Sequence, residues 1–150
     1  MNNSPAPNLS LTVRSQQRAL SEPFVIARET ITHVDLTRVE LSDGNHVGRG
    51  EGTPKSIYHQ SAEGDRALLE QVAGQLPADM TNEALLDLMP AGSARNALDC
   101  ALWDLRAKQA GQSVWELTGI DAPIGPLSGA VTISIGTPEE MAERARQWRD

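Results

Sequence analysis

The spacing of apolar residues changes twice along this chain, and the order of those changes restricts its fold more than any other feature. Leu9, Leu11 and Val13 alternate with Ser10, Thr12 and Arg14, the period-2 mark of a half-buried strand. A loop with Pro23 is expected next, carrying Phe24-Val25-Ile26-Ala27-Arg28. A second strand runs from about Ile31 to Leu41. Its apolar phase moves from Val34/Leu36 to Val39/Leu41, which predicts a bulge near Thr37. Asp43-Gly44 signals a tight hairpin, because glycine supplies the positive φ such a turn needs. Val47 to Glu51 is the third strand. The opening reads as an antiparallel meander.

Helical spacing then takes over. From Ser61, the residues Leu68, Leu69, Val72, Ala73 and Leu76 fall on one stripe. Thr81 can cap a short helix holding Leu85, Leu86, Leu88 and Met89. The clearest helix runs from Ser93 to about Ala110, with Ala94, Ala97, Leu98, Ala101, Leu102 and Leu105 on one face and Gly111 placed for a left-handed stop. Ser113-Val114-Trp115-Glu116 is a capping box, ended by Gly119. Three strands followed by several helices make an α+β domain.

After Pro126 alternation returns once. Ala130, Thr132 and Ser134 alternate with Val131, Ile133 and Ile135, a strand with small residues on one side. Gly136-Thr137-Pro138-Glu139-Glu140 starts a helix, with Thr137 as cap, proline in the first turn and Glu140 closing the box. Met141, Ala145 and Trp148 give that helix an apolar face. One strand and one helix after a complete α+β unit read as the first βα unit of something larger.

The charge balance limits the partners. A formal net charge of -7 repels nucleic acid and anionic membranes, and one Phe, one Tyr and three Trp leave no aromatic-basic patch. No apolar run approaches the ~20 residues that span a bilayer. Met1 to Asn8 lacks a basic start followed by an apolar stretch, so it reads as a frayed tail and the cytoplasm is the expected compartment. Cys100 is the single cysteine, so no intrachain disulfide forms, and its alanine-rich helix suggests a buried, inert thiol.

Spacing alone assembles no active site. His33, His46 and His59 are scattered without metal-ligand spacing. Asp99 and Asp104 sit about 140° apart on their helix, so each is expected to make its own structural hydrogen bond. Glu139 and Glu140 suit the positive end of a helix dipole. No phosphate loop or nucleophile elbow occurs. Neither catalytic residues nor metal ligands are assigned.

Four segments nevertheless carry a resemblance. Ser93-Ala-Arg-Asn-Ala-Leu-Asp-Cys-Ala-Leu-Trp-Asp-Leu105 with Lys108 and Gly111 resembles the capping-domain helix of the muconate-lactonising subgroup of the enolase superfamily. Phe24 to Arg28 looks like that family's first mobile loop. Gly50-Glu51-Gly52-Thr53-Pro54 looks like its third-strand end, and Ala130 to Pro138 like its first barrel strand and helix. The combination is most similar to dipeptide epimerases of the L-Ala-D/L-Glu type.

The resemblance implies a tail over 1–8, an α+β capping domain over 9–125 (the meander and its helices), and the start of a (β/α) TIM-like barrel over 126–150. It also implies an isomerase that removes an α-proton and returns it from the opposite face. Two lysines would transfer the proton and Mg2+ would stabilise the enediolate, all from residues beyond Asp150. The substrate would be a small dipeptide, and self-association into a homo-oligomer is left open. Within this chain the implied substrate contacts are Thr132, Arg28, Ile31 and Tyr58. The segments around Phe24–Ile31 and Thr53–Tyr58 are the closing loops. A Thr132 hydroxyl can donate and accept, though threonine is also an ordinary strand residue. Arg28 could steer an acidic side chain or be a plain surface arginine. Ile31 stands where relatives that read a glutamate are expected to carry a basic residue, which leaves room for a less acidic dipeptide. Three readings stay open: a dipeptide epimerase; a sister enzyme such as a muconate cycloisomerase or o-succinylbenzoate synthase; and a stand-alone module without catalysis.

Overall fold

The computed structural model describes residues 8–120 and 125–148. The expected tail lies outside the described residues except for Asn8. Two units can be separated, one comprising Met1–Gln16 with Asp35–Ala122, the other Gln17–Val34 with Pro123–Asp150.

Three strands form one sheet in the order β1-β2-β3: β1 (Ser10–Val25), β2 (Thr30–Ser42) and β3 (Val47–Gly52). β1 is longer than its alternation predicts and runs through Pro23 to Val25. The expected loop shrinks to the turn Ile26–Glu29, closed by the Ile26 N–H donating to the Glu29 carbonyl at 3.0 Å. Pro23 is tolerated because β1 is an edge strand, where a missing N–H interrupts no ladder. Pairing of β2 with β3 is antiparallel and unbroken from Thr37↔Gly52 to Ser42↔Val47. Thr37, Val39 and Leu41 all point into the core, and Thr37 pairs its hydroxyl there. Val34 and Leu36 lie half-buried on the other face.

The turn between β2 and β3 is built by Asp43. Its Oδ1 accepts from the backbone N–H groups of Asn45 and His46 at 2.7 and 2.6 Å, with Gly44 at φ 94°. Gln109 Nε2 donates to Asp43 Oδ2 at 2.7 Å. That side-chain bond and the two backbone donors hold the Asp43 carboxyl well below the usual carboxylate range.

In the first unit the helices are α1 (Ala62–Val72), α2 (Asn82–Leu88), α3 (Ser93–Ala110) and α4 (Val114–Leu117). Ser61 and Thr81 cap the first two, Gly111 ends α3 at φ 64°, and Ser113 with Glu116 forms the expected box on α4. Leu69, Val72, Leu76, Leu85, Met89, Leu98, Leu102 and Leu105 close over Val39 and Leu41 as one core. Leu86, expected among the apolar positions of α2, is exposed.

α3 lies directly on β3. A Cβ on Gly48, Gly50 or Gly52 would collide with the carbonyls of Ala101, Ala97 and Ser93 respectively. Two strand residues advance roughly 6.8 Å and four helical residues 6 Å, so alternate glycines meet successive turns of the helix. β3 is also a sheet edge, and α3 side chains satisfy it. Lys108 Nζ donates to the Val47 carbonyl at 2.7 Å, Asp104 Oδ2 accepts from the Arg49 N–H at 2.7 Å, and Asn96 Nδ2 donates to the Glu51 carbonyl at 3.2 Å. Asp99 instead accepts from Asn82 Nδ2 at 2.8 Å. Each aspartate thus makes its own structural bond, as their spacing required.

Cys100 is exposed, contrary to the expectation of a buried thiol. The small residues of α3 that face inward are Ala94, Ala97 and Ala101, and position 100 falls off that stripe. Desolvation by its surroundings, then the Asp99 carboxylate, pushes the thiol pKa up, which is the opposite of an activated nucleophile.

In the second unit α5 (Pro138–Gln147) carries the predicted capping box from Thr137 and Glu140. Its expected apolar face stays unburied: Ala145 and Trp148 are exposed and Met141 half-buried. Val131–Ile135, read as a strand, pairs with no strand among the described residues. A strand exists only where a neighbour offers a ladder, and among the described residues this segment meets backbone at the end of β1, where the Ile135 N–H reaches Val25. No helix among the described residues is long and apolar enough to cross a membrane.

Candidate functional site

Three of the four expected contact residues, Arg28, Ile31 and Thr132, belong to the second unit, and Tyr58 belongs to the first. Arg28 is exposed in the hairpin turn, and Ile31 is half-buried at the start of β2. Thr132 is exposed, two residues before a serine that is not. Ser134 is 5% exposed, and its Oγ accepts the Val25 N–H at 2.6 Å. The Ile135 N–H donates to the Val25 carbonyl at 3.0 Å. Within this unit the segment bearing Thr132 is therefore joined to the base of the turn bearing Arg28. Arg144 adds an ion pair to Glu22 at 3.0 Å. Sequence reasoning did not single out Ser134; its place on the small polar side of the 130–135 alternation was the available signal.

Tyr58 closes a short 3-10 turn, Ser56–Tyr58, and is 70% exposed beside the exposed Ile57. The turn ends at His59, a non-glycine residue at φ 56°. Such a conformation persists only where surroundings impose it. Gln60 supplies that constraint: its N–H donates to the Lys55 carbonyl at 3.2 Å, and its Oε1 accepts from the Lys55 N–H at 3.4 Å. Gln60 Oε1 also lies 3.2 Å from Ser93 Oγ, which donates to Asp65 Oδ1 at 2.7 Å. Thr37 Oγ1 donates to Asp65 Oδ2 at 3.0 Å. This buried network links β2, α1 and α3 beneath the loop. Sequence analysis missed it, although the out-of-phase Thr37 pointed to a polar group inside.

In the first unit a groove of about 700 Å³ lies over Arg14, Arg38, Glu40, Arg49 and Glu51. Its charges pair across the strands, Arg38 with Glu51 at 3.4 Å and Arg49 with Glu40 at 3.1 Å. Opposed pairs of this kind are the ordinary furniture of a solvated sheet face.

No group of three His, Cys, Asp or Glu among the described residues is placed to hold a metal ion. The sequence contains two lysines, Lys55 and Lys108. Lys108 is engaged by Asp104 and Val47, and Lys55 sits in the Tyr58 loop. Among the described residues there is thus neither a pair of free lysines nor a cluster placed to hold a metal ion.

The family model "Mandelate racemase / muconate lactonizing enzyme, N-terminal domain" matches residues 8–119. The chain is 44% identical over 126 residues to an L-Ala-D/L-Glu epimerase of Escherichia coli K12, covering 84% of this chain and 39% of that protein. It is 32% identical over 126 residues to a hydrophobic dipeptide epimerase of Roseobacter litoralis, covering 81% and 36%. Among solved structures it superposes with a TM-score of 0.84 and 37% identity on an enolase family member from Agrobacterium tumefaciens, which is homologous to dipeptide epimerases and holds sodium and L-Ala-L-Glu (93% of this chain, 42% of that one). A dipeptide epimerase from Methylococcus capsulatus complexed with Mg and L-Arg-D-Lys gives a TM-score of 0.81 at 28% identity, covering 94% and 42%. The chain spans well under half the length of each of these relatives. By the family match and these identities, the chain belongs to the mandelate racemase/muconate lactonizing enzyme N-terminal domain family of the enolase superfamily.

Proposed function

We propose that this chain is the N-terminal part of a dipeptide epimerase of the L-Ala-D/L-Glu type, with a capping domain over 9–125 and the start of a barrel over 126–150. The observation that carries the reading is the 44% identity to an L-Ala-D/L-Glu epimerase along 84% of the chain. In this reading the enzyme inverts the α-carbon of the second residue by removing its proton on one face and returning it on the other. The proton-transfer lysines and the Mg2+ ligands then belong to residues outside this chain, as the family resemblance implies. What this chain contributes is selection and exclusion of water. Thr132 offers a hydroxyl to the peptide or carboxylate, Arg28 sets charge at the hairpin turn, Ile31 supplies an apolar wall, and Tyr58 is carried on a closing loop.

A second reading of specificity has its own support. Ile31, Ile57 and Tyr58 present apolar surface on the two closing segments, and the Roseobacter litoralis relative is a hydrophobic dipeptide epimerase. The preferred second residue would then be apolar rather than glutamate.

The test is α-proton exchange in D2O, followed by NMR, with the full-length protein, magnesium and a panel of L-Ala-L-Xaa dipeptides. Exchange with appearance of the second diastereomer is expected, and the best Xaa decides between the acidic and apolar readings. No exchange on any member of the panel would defeat the assignment. The 150-residue chain alone should exchange nothing.

A further inference from the structure

Both backbone groups of Val25, the last residue of β1, are taken by residues 134–135. The carbonyl accepts from the Ile135 N–H, as in a strand pair, but the N–H donates to a side chain, Ser134 Oγ, at 2.6 Å. The same oxygen lies 3.4 Å from the Pro23 carbonyl, so one hydroxyl accepts from Val25 and donates to Pro23. Proline has no N–H, which leaves that carbonyl as the only backbone polar group of residue 23. A ladder made of backbone groups alone has a counterpart at every second residue and can slip. A serine hydroxyl marks one position. Ser134 is also the one residue of 125–148 that is buried. The Arg144–Glu22 pair is a second tie, with Glu22 exposed and Arg144 half-buried, and an ion pair so open to water contributes little.

We propose that Ser134 is a positioning residue whose hydroxyl fixes the hairpin turn to the 132–135 segment in one register, so that Arg28 and Thr132 meet the same substrate. The role of those two residues rests on the epimerase reading; the register does not.

Amide hydrogen exchange by NMR on the 150-residue chain, for wild type, Ser134→Ala and Ser134→Thr, tests the register. Ser134→Ala should speed exchange at Val25 by about tenfold or more while Val39, Leu41 and Leu102 keep their rates. Ser134→Thr retains the hydroxyl and should hold Val25 near the wild-type rate. Kinetics on the full-length protein test the positioning. Ser134→Ala should raise KM for the best dipeptide about tenfold with kcat changed less than about twofold, and Ser134→Thr should restore KM. Unchanged exchange at Val25 in Ser134→Ala overturns the proposal, as does faster exchange of the core amides in step with it. A wild-type KM in Ser134→Ala also overturns the positioning role. A wild-type enzyme that exchanges no dipeptide α-proton would defeat the epimerase reading and the positioning role together, while the Val25 result still decides the register.

Discussion

Asp65 is a carboxylate 3% exposed whose two side-chain donors are hydroxyls, Thr37 and Ser93. Burying a charge is costly unless hydrogen bonds replace its water, and here three elements must be in place to supply them. Asp65→Ala would leave both hydroxyls with a lost acceptor, and each orphaned buried group costs about 1–3 kcal/mol. We expect a loss of at least about 2 kcal/mol, read as a lower urea midpoint. Thr132 is a residue of the opposite kind, exposed and without a packing role. Thr132→Val should leave stability unchanged within about 0.5 kcal/mol. If the epimerase reading is right, it should cost about 1–3 kcal/mol in kcat/KM, because a substrate polar group loses its partner. Unchanged kcat/KM would reduce Thr132 to an ordinary chain residue. Ile31→Arg should move preference toward acidic second residues across the same dipeptide panel.

The tightest contact between elements is that of β3 with α3. Gly50 has no room for a methyl group, since a Cβ would fall on the Ala97 carbonyl and close to the Ala101 N–H. Neither is a flexible side-chain end that can swing away, so backbone must move. Gly50→Ala should therefore destabilise by about 2 kcal/mol or more, measured at unchanged denaturant slope. Gly44→Ala in the hairpin turn has open space and suffers only from its φ of 94°, so it should cost less. The capping box of α5 gives an element-level pH effect. The Thr137 backbone N–H, then its hydroxyl, holds Glu140 below its ordinary value. A depressed folded-state pKa means that the stabilising contact is present above the unfolded value and disappears as pH falls through the folded one. Acidification across the carboxylate range should weaken amide protection in the first turn of α5, and Glu140→Gln should flatten that response.

At the scale of the molecule, every residue of the hydrophobic core belongs to the first unit. Among the described residues of the second unit the only buried one is a serine, while Leu127, Val131, Ile135 and Trp148 are exposed. Apolar burial is the main term that offsets conformational entropy, so the two units cannot be equally stable in the isolated chain. We expect amides of β3 and α3 to exchange only through global unfolding, and those of 128–148 to exchange through local opening many times faster. Equal protection in both would show that residues 126–150 share the first unit's cooperativity. That would remove the argument that they begin a separate barrel.

Local chemistry was legible in the sequence. The caps at Thr81, Ser113 and Thr137, the Asp43-Gly44 turn and the stop at Gly111 all formed where the residues placed them, because each depends on groups within four or five positions. The stripe of α3 and its resemblance to a known capping helix carried the fold and family. Long-range partners decided the rest. Thr37 reads as a break in phase until Asp65 arrives beside it from α1. Nothing in the third-strand pattern marks Gly48, Gly50 and Gly52 until α3 lies against them. Cys100 falls outside a stripe that composition suggested was uniform. Val131–Ile135 has the alternation of a strand, but pairing is a property of two segments, and the second unit gives it only Val25. The sequence by itself determined the helices, their caps and the Asp43-Gly44 turn, since those depend on groups within a few residues. Only tertiary structure decided which polar groups are buried, which glycines are indispensable and which segment holds the hairpin turn, because each needs a partner from a remote part of the chain.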